Sequence, residues 1–239
     1  MNKFLSYLTF FARRLVTRHY KLVILILSCL TFLSYTASAI WIFVYVPDDY
    51  LQGGLIKIMY IHVPCAWISL VSYILLGIFS VTYLIYSDRF CSILSSAATI
   101  VSLNASLITL VTGAIWGKAA WGTWWIWDPR LTAVFIQFCL LSVCYILRNH
   151  GGNNAVIEQS TALLTIVGLI NVPIIKFSVN AWNSIHQDAS VFRSDGVKIH
   201  HDLLMPLILS FIAISCFYIL IGLLAARNRY QEIKIYHTK

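Results

Sequence analysis

Tryptophans 116, 121, 124, 125 and 127 fall within twelve residues, five of the eight in the chain. Lys118, Asp128 and Arg130 accompany them. An indole offers a broad apolar face and one N–H donor. Arg and Lys take carboxylates through charge-assisted hydrogen bonds. Such a set suits a flat, apolar, anionic ligand, with rings against its face and cations at its rim. Trp121, Trp124, Trp125 and Asp128 follow i, i+3, i+4, i+7 spacing, so on a helix they share one face. The plainer reading is an aromatic belt, because Trp is enriched where bilayer meets water. A belt explains one or two tryptophans at a helix end better than five in one short stretch.

Histidines bring a second chemistry, since neutral imidazole is the commonest metal ligand. His62 lies in Ile58-Met-Tyr-Ile-His-Val-Pro64, beside an apolar run. A histidine there is either a local hydrogen-bonding residue or a ligand. His186 follows another apolar run. His200 and His201 are adjacent, so their side chains point apart on a helix or strand and make a poor bidentate pair. The cysteines 29, 65, 91, 139, 144 and 216 form neither C-x-x-C nor C-x-x-C-H. Most read as small buried hydrophobes, and the chain is not expected to attach a haem through thioethers.

The elements that position these residues are membrane helices. The chain is 59% hydrophobic and 11% charged, against about 25% charged in soluble domains. Apolar runs near 22–46, 63–86, 93–115, 131–147, 160–179 and 203–225 approach or exceed the roughly 20 residues that cross a bilayer. The predicted fold is an all-α membrane protein of six transmembrane helices, a single integral membrane domain over 1–239, with an outer-face Trp-rich loop or amphipathic helix at 116–132. Ala37-Ser38-Ala39 looks like a cleavage site. The apolar run continues through Val44, so an uncleaved first span is expected.

With both termini inside, eleven of the seventeen Lys and Arg residues lie inside and six outside. The positive-inside rule then favours N-in, C-in. The charge of +8 is spread over loop ends, as topology determinants are, and is no nucleic-acid signal. Residues 1–21 read as a basic amphipathic lead at the inner surface. Span 2 is expected to begin near Val63, with Pro64 in its first turn, although an earlier start with a kink also fits. Asp128-Pro129 reads as the N-cap and first residue of span 4. Asp128 has the further option of holding Arg130 or an indole N–H. Pro173 predicts a kink in span 5, and Pro206 is placed in the first turn of span 6. Gly113-Ile115-Gly117-Lys118 is one residue short of a phosphate loop and lacks the following Ser or Thr, so ATP binding is unsupported. No nucleophile–base–orienter set marks a hydrolase.

Counting spans brings His62, the tryptophan stretch and His186 to the same outer face. Two imidazoles from separate segments, with aromatic rings between them, match the needs of a six-coordinate haem. Trp121-Gly-Thr-Trp-Trp-Ile-Trp-Asp-Pro-Arg-Leu-Thr132 resembles the WWD signature of haem-handling proteins in cytochrome c maturation, most closely the CcmC branch. Residues 58–64 and 175–187 resemble that branch's two histidine segments, and the likeness covers essentially the whole chain. It implies a bacterial inner-membrane protein, or an organellar one, that holds non-covalent haem b in transit at the periplasmic face. The haem then passes to a membrane-anchored chaperone of the CcmE type. A CcmAB-type ABC transporter and a small CcmD-like subunit are implied as partners. His62 and His186 become the axial iron ligands, and Trp121, Trp124, Trp125, Trp127, Asp128 and Arg130 the haem shelf. Two alternatives remain at this point. A cytochrome b-like electron-transfer subunit usually carries mid-membrane histidines, which these spans lack. A transport or structural subunit would place charged or broken-helix sites near mid-membrane.

Overall fold

The computed structural model describes residues 14, 16–50, 52–151, 154–182, 184–186, 196 and 199–236. Most of the basic lead, Asn183, Gln187 and most of the connection after it lie outside the described residues.

Six helical segments are long and apolar enough to cross a membrane, and the described residues contain no strand. α1 spans Tyr20–Ile40 and runs on through a π-helical turn, Trp41–Tyr45. A 3-10 turn, Gly54–Ile58, leads directly into α2, Met59–Tyr86. α3 is Arg89–Trp121 and α4 is Pro129–His150. The fifth span divides into α5, Ala155–Gly168, and α6, Asn171–Ala181. α7 is His201–Tyr236. α2 packs along α3, α1 lies mainly on α7, and α4 touches α3, α5 and α6.

Four boundaries differ from the sequence expectation or refine it. α2 starts at Met59 rather than near Val63, because the 3-10 turn already carries the chain into helix. His62 and Pro64 are therefore inside the helix, and Pro64 leaves the Tyr60 carbonyl without its usual i+4 donor. The Trp121–Asp128 stretch is not helical: α3 ends at Gly122, whose φ of +76° is the left-handed C-terminal conformation that favours glycine. The four residues predicted to share a helix face are thus split between a helix end and a loop. The fifth span breaks at Leu169 and Ile170, four and three residues before Pro173, where proline removes a helical donor. Pro206 is the sixth residue of α7, just past the first turn.

Two packed clusters set the ends of the bundle. At one end Ile42, Val46, Ile56, Met59, Tyr60 and Leu207 bury each other, with Trp116 and Leu203 against them. This cluster ties the end of α1 and the starts of α2 and α7 to the last turns of α3. At the other end Val16, Phe90, Ile93, Ala97 and Ala226 form a second core. Beside it lies a buried ion network, although the charge pattern alone places cations at solvated span ends. The Arg148 guanidinium donates to Thr99 Oγ1 at 2.6 Å and Ser95 Oγ at 2.7 Å. Its Nε lies 3.4 Å from Glu158, which also pairs with Arg229 at 3.1 Å. The side chains of Arg148 and Glu158 are 3% and 7% exposed, so this is an internal clamp across α3, α4, α5 and α7.

Candidate functional site

Alternating helix directions put the start of α2, the end of α3, the start of α4 and the end of α6 at the same end of the bundle. His62, the tryptophan stretch and His186 meet there.

His62 faces α3. Its Nδ1 is 3.0 Å from Thr112 Oγ1. The Thr112 hydroxyl donates to the Ile108 carbonyl at 2.6 Å. With its one hydrogen directed at that carbonyl, the hydroxyl accepts from His62, which favours the tautomer with the proton on Nδ1; the ring is also hydrogen-bonded to the Thr109 backbone. Trp116 meets His62 edge-on, with ring centroids 5.8 Å apart. The Trp116 Nε1–H donates to Gln52 Oε1 at 2.6 Å. Gly113 makes this approach possible: a Cβ there would lie 3.1 Å from His62 Cε1.

His186 is held differently. Arg130 Nη1 lies 3.2 Å from His186 Nδ1. A guanidinium only donates, so this imidazole nitrogen accepts. Arg130 also donates to Ser178 Oγ and to the Lys176 carbonyl, both at 3.4 Å. Lys176 Nζ sits 4.6 Å from the centre of the Trp67 ring, which links α6 to α2. The Trp121 ring is 6.4 Å from that of His186. The tryptophan stretch connects the two histidines: His62 meets Trp116 and His186 lies beside Trp121, on the last turns of α3.

Asp128 caps α4 as expected. Its Oδ1 accepts from the backbone N–H of Arg130 at 2.9 Å and of Leu131 at 3.4 Å. Its other oxygen takes neither Arg130 nor an indole. Oδ2 accepts from the backbone N–H of Ile185 at 3.1 Å, and the Ser184 side chain donates to the same carboxylate. The helix cap is therefore also the tether of the His186 segment. Burial works to raise the Asp128 pKa. The hydrogen bonds from Ser184, Arg130, Ile185 and Leu131 outweigh it and hold the group below the ordinary carboxylate value.

The remaining tryptophans do not form one flat shelf. Trp125 packs edge-on against Trp127 and Phe135. Trp124 and Trp127 are 59% and 73% exposed. The Trp125 Nε1–H is buried and has no acceptor among the described residues. His200 and His201 both pair with Asp202 and are exposed.

This donor set fits an iron porphyrin. It offers two imidazoles, a guanidinium for carboxylates, aromatic rings and an indole N–H without an acceptor among the described residues.

The profile of the CcmC family, heme exporter protein C, matches residues 7–238. The chain belongs to this family. The heme exporter protein C of Bradyrhizobium diazoefficiens is 39% identical over 182 residues, 76% of this chain and 69% of that protein. A putative cytochrome c biosynthesis ccmC-like mitochondrial protein of Marchantia polymorpha is 40% identical over 189 residues, 79% of this chain and 78% of that one. The heme exporter protein C of Haemophilus influenzae is 34% identical over 198 residues, 83% and 80% of the two chains. With its six membrane-length helices, this CcmC chain is a multi-pass membrane protein with a haem-exporter role in cytochrome c biogenesis.

Several site residues of this CcmC chain escaped the sequence reading. Thr112, Gln52, Ser178, Lys176 and Ser184 are common polar residues whose role appears only when helices pack. Thr112 alone carried a usable signal, being next to Gly113 on the turn of α3 that faces His62.

Proposed function

We propose that this chain holds haem b, non-covalently and in transit, at the tryptophan-bearing end of the bundle. His62 and His186 are the axial ligands of the iron. Trp121, Trp124, Trp125 and Trp127 contact the macrocycle or its edge, Arg130 takes a propionate, and Asp128 holds the His186 segment in reach. The haem passes to a membrane-anchored chaperone of the CcmE type. A CcmAB-type ABC transporter and a small CcmD-like subunit complete the machinery. The whole chain is one membrane domain in a bacterial or organellar inner membrane. Both termini lie inside, because the cationic tails favour that side, and the site then faces the periplasm or its organellar equivalent.

The observation that carries this reading is the 3.0 Å contact between His62 Nδ1 and Thr112 Oγ1 at the Trp-bearing end of the bundle. With Thr112 Oγ1 as its acceptor, Nδ1 holds the proton and Nε2 is the nitrogen offered to iron. Metal-ligating histidines characteristically give their other ring N–H to such a partner. In a protein without mid-membrane histidine pairs, an oriented imidazole beside indoles and a guanidinium is better suited to presenting haem at a surface than to carrying electrons across the bilayer.

The test is the absorption spectrum of the detergent-purified protein, oxidised and dithionite-reduced, beside His62→Ala and His186→Ala. A low-spin b-type spectrum that each substitution weakens or converts is expected. A spectrum unchanged in both variants would move the ligands elsewhere and sink the assignment.

A further inference from the structure

At the end of the bundle opposite the tryptophans, residues 17–22 and Arg227 line an open cavity of about 330 Å³. Arg18 precedes α1 and Lys21 lies in its first turn, both exposed, while Arg227 comes from α7. No carboxylate lines the cavity among the described residues. The sequence offers none nearby on this segment, since the first acidic residue of the chain is Asp48.

Arg227 is held in place by neutral groups. Its Nη1 donates to the Val16 carbonyl at 3.0 Å. The guanidinium lies 5.1 Å from the centre of the Tyr20 ring and 5.9 Å from that of Tyr230. With the Gln231 amide oxygen turned toward it, Nη2 and Nε donate at 2.6 and 3.1 Å. Val16 is itself buried against Phe90, Ile93, Ala97 and Ala226, so the cavity is anchored to the packed fold. These partners orient the guanidinium and leave its charge uncompensated. Two guanidiniums and an ammonium around one cavity repel each other unless an anion sits among them. Phosphate suits that place, because arginine grips its oxygens as a fork and lysine meets it as a point charge. The cavity also opens beside an apolar strip. Leu22, Leu25 and Ile26 are exposed and, at i, i+3 and i+4, share one face of α1. A free phosphate would use the cations alone, whereas a phospholipid would also lay an acyl chain along this strip.

We propose that the cavity binds the phosphate of an anionic glycerophospholipid, with Arg18, Lys21 and Arg227 around it and an acyl chain along Leu22, Leu25 and Ile26. Basic pockets between membrane helices hold anionic head groups in this way. With the cationic tails inside, the lipid belongs to the inner leaflet. It bridges the start of α1 to α7, the helix on which α1 mainly packs, and so holds the first span to the bundle. The site lies at the other end from the haem residues and does not depend on them.

The full-length protein, delipidated in detergent, is given equal amounts of phosphatidylglycerol and phosphatidylcholine with the same acyl chains, and native mass spectrometry counts the lipid bound to the intact protein. The wild type is expected to select phosphatidylglycerol. In Arg18→Gln/Lys21→Gln its affinity should fall roughly tenfold to thirtyfold, the scale of two cations at a lipid surface. Arg18→Lys/Lys21→Arg keeps the charges and should bind as the wild type does. Arg89→Gln/Lys234→Gln removes the same charge from the same end but from outside the cavity, and should also bind normally. Glycerol phosphate, a head group without chains, should not displace the lipid at equal concentration. Equal binding of the two lipids by the wild type, or undiminished phosphatidylglycerol binding by Arg18→Gln/Lys21→Gln, would overturn the proposal. So would loss of binding in the charge-conserving variant, because charge would then not be what the site recognises. An equal loss in Arg89→Gln/Lys234→Gln would reduce the effect to diffuse attraction by a cationic surface and remove the site. Displacement by glycerol phosphate would make the ligand a free phosphate and remove the lipid.

Discussion

Asp128 offers the sharpest test of how the His186 segment is held, because its two oxygens have separate tasks. Oδ1 caps α4 and Oδ2 accepts from Ile185. Asp128→Asn retains one oxygen, and asparagine is as good an N-cap as aspartate. If that oxygen keeps the cap, the amide NH2 faces the Ile185 N–H, donor against donor. A hydrogen bond to a charged acceptor contributes about 1.5–3 kcal/mol. Losing it should reduce the fraction of His186-ligated, low-spin porphyrin roughly tenfold to a hundredfold. α4 and the His62 contact should survive. Asp128→Ala removes the cap as well and adds about 1 kcal/mol of helix destabilisation. Thermal unfolding in detergent should therefore separate the two variants, while porphyrin spin state should group them. Amide hydrogen exchange at Ser184, Ile185 and His186 supplies the local readout, faster in both. Normal exchange at Ile185 and an undiminished low-spin signal in Asp128→Asn would refute the tether. The pH dependence has a definite sign. The folded-state pKa of Asp128 is depressed, so its contribution is fully present above the unfolded carboxylate pKa of roughly 3.9. It is lost as pH falls through the folded value. Asp128→Asn should flatten that acid limb of stability and leave the neutral range unaltered.

Thr112→Val removes the acceptor of the His62 Nδ1–H and should weaken porphyrin binding by about 10–100-fold, the usual scale for the partner of a metal-ligating histidine. Thr112→Ser, which keeps the hydroxyl, should restore most of it, and equal affinity in Thr112→Val would remove the tautomer argument. Gly113→Ala places a methyl 3.1 Å from His62 Cε1. The ring must move by a few tenths of an ångström, so an altered porphyrin spectrum with nearly normal thermal stability is expected, and an unaltered spectrum would show that the contact does not matter. Glu158→Gln leaves two arginines in a buried network without their shared carboxylate, and breaking such a pair costs about 3–5 kcal/mol. The expected result is a marked drop in thermal stability with a normal spectrum from the protein that stays folded; loss of porphyrin ligation at full stability would contradict the separation of the two ends.

Hydropathy made the six spans legible, because each apolar run had to be a helix to satisfy its backbone in lipid. The helix alternation then brought His62, the tryptophans and His186 to one end without any knowledge of packing. Asp128-Pro129 was legible as a cap from local chemistry alone. The helical face from Trp121 to Asp128 was misread because its spacing fitted 3.6 residues per turn while Gly122 ended the helix between its first and second members. The burial of Arg148 was not legible for another reason: a cation at a span end is normally solvated, and only the fold brings Glu158, Ser95 and Thr99 around it. The tether of His186 depends on residues 128 and 185, which are far apart in sequence and individually ordinary.

The two ends of the bundle differ in how their charges are held. At the Arg148 end, cations and a carboxylate are enclosed and bonded to each other, so separating the helices would expose buried ions. At the His186 end, Arg130 contacts Ser178, the Lys176 carbonyl and His186, and Asp128 ties Ile185 to the start of α4. Local opening follows the weakest set of contacts and not the stability of the whole fold. Opening confined to the His186 end would leave α2, with His62, fixed by the cluster of Ile42, Ile56, Met59 and Leu207. In the proposed haem site one imidazole is built into a helix and the other sits on a segment tethered by Asp128, so substitutions at Thr112 and Asp128 should act on different ligands.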